Sequence, residues 1–273
     1  MKAWKQLSLS TSLLVLASQA QAVPLLDQYL GGNDYGYGDV IGSQQLFDTH
    51  RAEITRDQDR LKVDIFTNFV GNVGVYPSLT KNGKGIGYGD LFLGGAWTPF
   101  VKAGDVSTAN TDGHLFDNAL NGTQWTYGLS FDDPWSTAAG GTFSLFKLKG
   151  SNAENLVLTE ELFKPGAIVR QGQVVQVDRQ SATVERLGAG AWTIDAGTSD
   201  KRLSFDLDLA QDSYQQIATY HYLSMHWGMT CNNDAIQGGV NLPPATGSVP
   251  EPTTLSLLGL TMIGLIRPRR RRG

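Results

Sequence analysis

"LSFDLDL", Leu203 to Leu209, alternates apolar and polar residues without a break. In an extended chain successive side chains point to opposite faces. Leu203, Phe205, Leu207 and Leu209 therefore share one side, with Ser204, Asp206 and Asp208 on the other. A helix would scatter these residues around its circumference, so the period of two predicts a half-buried strand. Two further stretches carry the same signature. Leu61, Val63, Ile65, Thr67 and Phe69 alternate with Lys62, Asp64, Phe66 and Asn68, and Trp125, Tyr127, Leu129 and Phe131 alternate with Thr126, Gly128, Ser130 and Asp132. Shorter apolar runs at 90–93, 142–148, 174–177 and 192–196 are separated by Gly, Asn and Asp clusters. Many short strands between turn residues predict an all-β fold, read here as an antiparallel β-sandwich of jelly-roll type. One segment competes with that reading. Residues 153–163 could form a helix capped by Asn152 and stopped by Pro165, while 155–159 read equally as a strand.

The two ends differ from this body. Lys2 and Lys5 precede the apolar run Leu7 to Ala17, and Ala20 and Ala22 are small residues spaced as an A-x-A cleavage site. This order of charge, apolar run and small residues marks an export signal, with signal peptidase expected to cut before Val23. At the other end Thr253 to Ile266 is 14 residues long and uncharged. As a helix it would reach about 21 Å, short of a hydrocarbon layer of about 30 Å. Arg267, Arg269, Arg270, Arg271 and Arg272 follow it and would hold that end on the cytoplasmic side by snorkelling. Pro250 and Pro252 keep any helix from running back into the body. The expected organisation is a signal helix over 1–22, a β-sandwich body over 23–240, a linker over 241–248 and a short hydrophobic helix with its arginines over 249–273.

Seven of the 22 basic residues sit in those two ends, leaving residues 23–250 with 15 basic against 25 acidic side chains. Such a body repels nucleic acid and anionic lipid. A single cysteine, Cys231, excludes an internal disulfide, so the fold must rest on burial and hydrogen bonding. In "YHYLSMHWGMTC", Tyr220 to Cys231, a strand would put His221, Leu223, Met225, Trp227, Met229 and Cys231 on one apolar face. That predicts a buried free thiol.

Val249-Pro250-Glu251-Pro252, the apolar stretch and the terminal arginine cluster together resemble the PEP-CTERM sorting signal of Gram-negative, exopolysaccharide-producing bacteria. The resemblance implies that an exosortase, a membrane-embedded cysteine protease, recognises the Pro-Glu-Pro and cuts near it. Insertion in the inner membrane is then transient, and the body passes to the cell surface or extracellular matrix. "WGMTCNNDAI", Trp227 to Ile236, also resembles a W-x-x-x-C-x-N-D stretch that precedes the tail in many such proteins.

The body offers no G-x-S-x-G elbow, P-loop or H-E-x-x-H pair. The reading is thus of a non-catalytic exported protein associated with exopolysaccharide. A second reading is a carbohydrate-binding module, for which Trp97 beside Pro99 and Trp135 in "DDPWST" are the candidate platforms. Calcium is the candidate cofactor, with Asn33, Asp34 and Asp39 in "GGNDYGYGD" and Asp90 in "GIGYGD" as hard oxygen donors in glycine-rich loops. A secreted hydrolase is a third reading, but Asp132-Asp133 and Glu160-Glu161 are adjacent pairs that a strand would point to opposite faces. In Cys231-Asn232-Asn233-Asp234 the sequence predicts a turn whose polar side chains hydrogen-bond the backbone.

Overall fold

The computed structural model describes residues 22–27, 40–57, 59–99, 120–197 and 199–243. In chain order their strands are β1 (Ala22–Leu26), β2 (Thr49–Asp57), β3 (Arg60–Thr67), β4 (Leu91–Gly94), β5 (Tyr127–Phe131) and β6 (Gly140–Leu148). These are followed by β7 (Leu156–Leu158), β8 (Val174–Val177), β9 (Val184–Asp195), β10 (Arg202–Asp208), β11 (Tyr222–Gly228) and β12 (Ala235–Asn241). Ten of them form one sheet in the order β1-β2-β3-β10-β9-β6-β5-β4-β11-β12, and β7 with β8 forms a separate ribbon. Every pairing is antiparallel.

The expected sandwich is corrected to this single curled sheet, a near-closed barrel. Its end strands β1 and β12 pack on each other. Leu25 lies over Gly238, where an added Cβ would sit 2.6 Å from Leu25 Cδ1. Alternation cannot separate the two architectures, because inward-facing residues alternate along each strand in both. Ten alternately directed strands also make β1 and β12 run in opposite directions. Ala22 and Asn241 therefore lie at the same end of the barrel.

The alternating stretches build the interior. Leu203, Phe205 and Leu207 stand opposite Ile65, Val63 and Leu61, so β10 and β3 turn the same face inward. All six are fully buried in the main core. An aromatic group fills its centre: Phe131 packs at ring-centroid distances of 5.5 Å from Tyr88, 5.2 Å from Trp192 and 5.4 Å from Phe205. Burying each such side chain contributes about 1.5–3 kcal/mol.

A second core lies outside the sheet. Phe92, Trp125, Phe146 and Leu148 point outward and are covered by Leu156, Val174 and Val177 of the ribbon. Gly128 makes this contact possible, since a Cβ there would meet Val177 Cγ2 at 2.4 Å. Asp90 clamps the ribbon to the barrel: its Oδ1 accepts the Phe131 amide at 3.0 Å and its Oδ2 the Val177 amide at 2.8 Å.

Several expectations change at this level. Trp125 does not join the face of Tyr127, Leu129 and Phe131 but belongs to the outer core, because β5 begins only at Tyr127. Residues 153–163 are neither one helix nor one strand: a helical turn over Asn152–Asn155, strand β7 and a helical turn over Thr159–Leu162 follow one another. The cap of the first turn is Ser151, not Asn152; Glu154 Oε2 accepts both the Ser151 amide and its hydroxyl at 2.8 Å. Asn241, read from sequence as linker, is the last residue of β12, and the next residue, Leu242, is buried in the core. Ala22, read as the end of the leader, is the first residue of β1 and stands opposite Thr55. Among the described residues no helix is long and apolar enough to cross a membrane. The expected signal helix, apart from Ala22, and the C-terminal helix lie outside the described residues.

Candidate functional site

The "WGMTCNND" stretch leaves β11 and enters β12 through a buried turn. Leu223, Met225, Trp227, Met229 and Cys231 all belong to the main core, as the one-strand reading predicts, whereas His221, expected on the same face, is exposed and precedes β11. Strand pairing ends at Gly228, and the Asn232 amide then bonds Met229 O at 2.7 Å to close the turn. Asn232 takes a left-handed conformation with φ of 48°, which asparagine tolerates better than most residues. Its amide lies over Gly228, where an added Cβ would be 2.1 Å from Asn232 Oδ1. A side chain at 228 would displace the Asn232 amide.

Around this turn four segments are tied together. Asp234 Oδ2 accepts the Thr49 amide at 2.5 Å, at the start of β2, and Asp234 Oδ1 accepts the Ala235 amide at 2.8 Å. Ile41 N donates to Asn233 O at 2.7 Å. Buried Arg170 donates its Nε to Asn232 O at 3.0 Å and an Nη to Asn233 O at 3.3 Å. The expectation that the polar side chains bond the backbone thus holds for Asp234 but not for the two asparagines. Asn232 Oδ1 and Nδ2 and Asn233 Oδ1 are buried with no hydrogen-bond partner.

The thiol of Cys231 is fully buried and its pKa is pushed up to about 12 by desolvation, so the nucleophilic thiolate is suppressed. His226 faces the outer core, with Nδ1 2.9 Å from Gln237 Oε1 and Nε2 3.1 Å from Val174 O. Burial lowers its pKa to about 4, so it is neutral at physiological pH. The two groups lie on opposite sides of β11 and do not form a catalytic pair.

Beside the turn opens a cavity of about 420 Å³, lined mainly by apolar side chains, with Cys231 and Asn233 among its walls. Sequence reasoning missed this cavity because its walls come from segments far apart in the chain, including Phe47, Ile86, Phe163 and Ile168. The polar turn beside an apolar strand was the one local signal.

The other residues singled out from sequence are placed as follows. Asp90 is buried, with both carboxylate oxygens accepting backbone amides, and burial raises its pKa to about 6. Trp135 is half-buried; its Nε1 donates to Gly85 O at 2.8 Å and Lys84 Nζ lies 4.8 Å from its ring centroid. Trp97 is half-buried against Ala235. The two tryptophans have different partners, and no ring contact joins them. Asn33, Asp34, Asp39, Val249, Pro250, Glu251, Pro252, Arg267 and Arg269 to Arg272 lie outside the described residues. Among the described residues no group of three or more His, Cys, Asp or Glu side chains could hold a metal ion.

Fold and site thus define a cysteine-poor antiparallel barrel with a buried polar turn. Residues 248–271 match the model of the PEP-CTERM protein-sorting motif. The chain thus carries a C-terminal PEP-CTERM protein-sorting motif, which supports export to the cell surface. No curated protein and no solved structure matches the chain.

Proposed function

We propose that the mature protein is a non-catalytic component of the cell surface or extracellular matrix. Signal peptidase removes the leader, exosortase removes the tail after transient insertion in the inner membrane, and an acidic barrel is left within the exopolysaccharide. The sorting motif at 248–271 carries this reading. A buried thiol with its pKa near 12 and a neutral, doubly hydrogen-bonded His226 support the absence of catalysis. The excess of acidic side chains favours a hydrated, dispersed state in a polysaccharide layer.

Intact-mass analysis of surface material from a processing-competent cell tests the model. The expected species lacks both the leader and Arg267 to Arg272. A surface species that retains those arginines overturns it.

A further inference from the structure

Five large apolar side chains are exposed among the described residues, and three of them, Tyr76 (48%), Leu79 (38%) and Ile168 (60%), line the cavity beside the Cys231 turn. Single exposed apolar residues are ordinary on a protein surface; three around one opening are a binding feature. Beneath them Phe47, Ile86 and Phe163 are buried and form the inner wall. The volume, about 420 Å³, falls in the range of sites for small organic molecules, roughly 300–1,000 Å³.

The chemistry of the lining narrows the ligand. No lining residue is an acid, a lysine, an arginine or a histidine, so an ionised ligand would lose its hydration without a counter-charge. Ser43, Tyr76 and Asn233 bring polar side chains to the lining, and Asn233 alone of them is buried. Asn233 is only 6% exposed, and its backbone oxygen already accepts from Ile41 and Arg170. Its side-chain Oδ1 accepts nothing. A buried acceptor without a donor calls for an explanation, and a ligand N–H or O–H supplies one.

We propose that this cavity binds a small, uncharged, largely hydrocarbon molecule that donates one hydrogen bond to Asn233 Oδ1. The assignment goes beyond delivery to the surface and adds a ligand-carrying role to the barrel. It concerns the described body, so a failed sorting experiment and a failed binding experiment are independent results.

The probe is N-phenyl-1-naphthylamine, an uncharged two-aromatic amine with one N–H, titrated into processed protein purified from the cell surface. Saturable, blue-shifted emission at one probe per chain is expected. Ile168→Asp places a charge at the exposed mouth and weakens binding by about tenfold or more. Leu26→Asp, at another exposed apolar residue that does not line the cavity, leaves binding unchanged. Asn233→Leu weakens the amine by about fivefold to tenfold but leaves displacement by 1-phenylnaphthalene, which has no N–H, within about twofold. Emission that does not saturate, or equal affinity in the Ile168→Asp protein, overturns the site. Unchanged amine affinity in Asn233→Leu, or equal losses for both compounds, overturns the hydrogen bond and with it the proposal as stated.

Discussion

On β2, β3 and β10 the outward-facing Glu53, Lys62 and Asp206 are exposed or half-buried. On β4, β5, β6 and β11 the outward-facing Phe92, Ser130, Phe146 and His226 are buried on the side carrying the β7–β8 ribbon. The two sides share one backbone geometry and differ only in what covers them. On the open side Glu53, Lys62 and Asp206 meet water and carry little energy, and the buried Asp64 and Ser204 bond each other. On the covered side each polar residue must find a partner, because a buried group without one costs about 1–3 kcal/mol. Ser130 Oγ accepts from Arg179 Nη2 at 2.9 Å, Ser144 Oγ donates to Asp132 at 3.0 Å, and His226 is held by Gln237 and Val174. Position in the barrel, not residue type, decides whether an outward side chain matters to stability.

The largest expected effect is on the covered side. Phe92→Ala removes a fully buried ring that packs near Trp125 and His226, at centroid distances of 6.5 and 6.1 Å, and should lower stability by about 3–5 kcal/mol in denaturant titrations. A loss below about 1 kcal/mol would show that ribbon and sheet are not packed as a second core.

The next effect is in pH dependence. Asp90 has a folded pKa of about 6 against an ordinary 3.8, so the stability it confers is fully present below about 4 and is lost as pH rises toward 6. His226 has a folded pKa of about 4 against 6.5, so its contribution is fully present above about 6.5 and is lost as pH falls toward 4. Over the same window the two oppose each other, each by about 3 kcal/mol. Their near-cancellation should break in His226→Gln, whose stability relative to the parent falls by about that amount between pH 4 and 6.5. Asp90→Asn should give the opposite slope. Denaturation midpoints at the two pH values decide it, and parallel curves for parent and variants would remove the argument.

The smallest effect belongs to the open side. Asp206 pairs with Arg60 across β10 and β3 with both side chains largely exposed. Asp206→Ala should change stability by no more than about 0.5 kcal/mol, with the residual contribution lost in high salt. A cost comparable to that of Phe92→Ala would erase the distinction between the two sides.

Legibility follows the same division. The open strands are readable because their alternation reports directly on water: Leu203, Phe205 and Leu207 are buried, and Asp206 is exposed. Trp125 misled the reading because the ribbon gives it an apolar environment on the outer face that no local pattern encodes. Cys231 was legible as a buried thiol since it continues the apolar face of β11, whereas the partners of its turn, Thr49, Ile41 and Arg170, are separated from it by dozens of residues. Asp90 shows the same limit. Its place in a glycine-rich turn was visible, but the two amides that occupy its carboxylate come from β8 and from Phe131.

By itself the sequence determined the β class, the inward faces of the alternating strands, the C-terminal sorting motif and the free buried cysteine. Each depends on chain geometry over a few residues or on a contiguous motif. Only the tertiary structure decided that the strands close into one sheet, that a ribbon builds a second core on its outside, and that an apolar cavity opens beside Asn233. The closed sheet depends on pairings such as β3 with β10 and β4 with β11, and no local period records which distant strand a given edge will pair with.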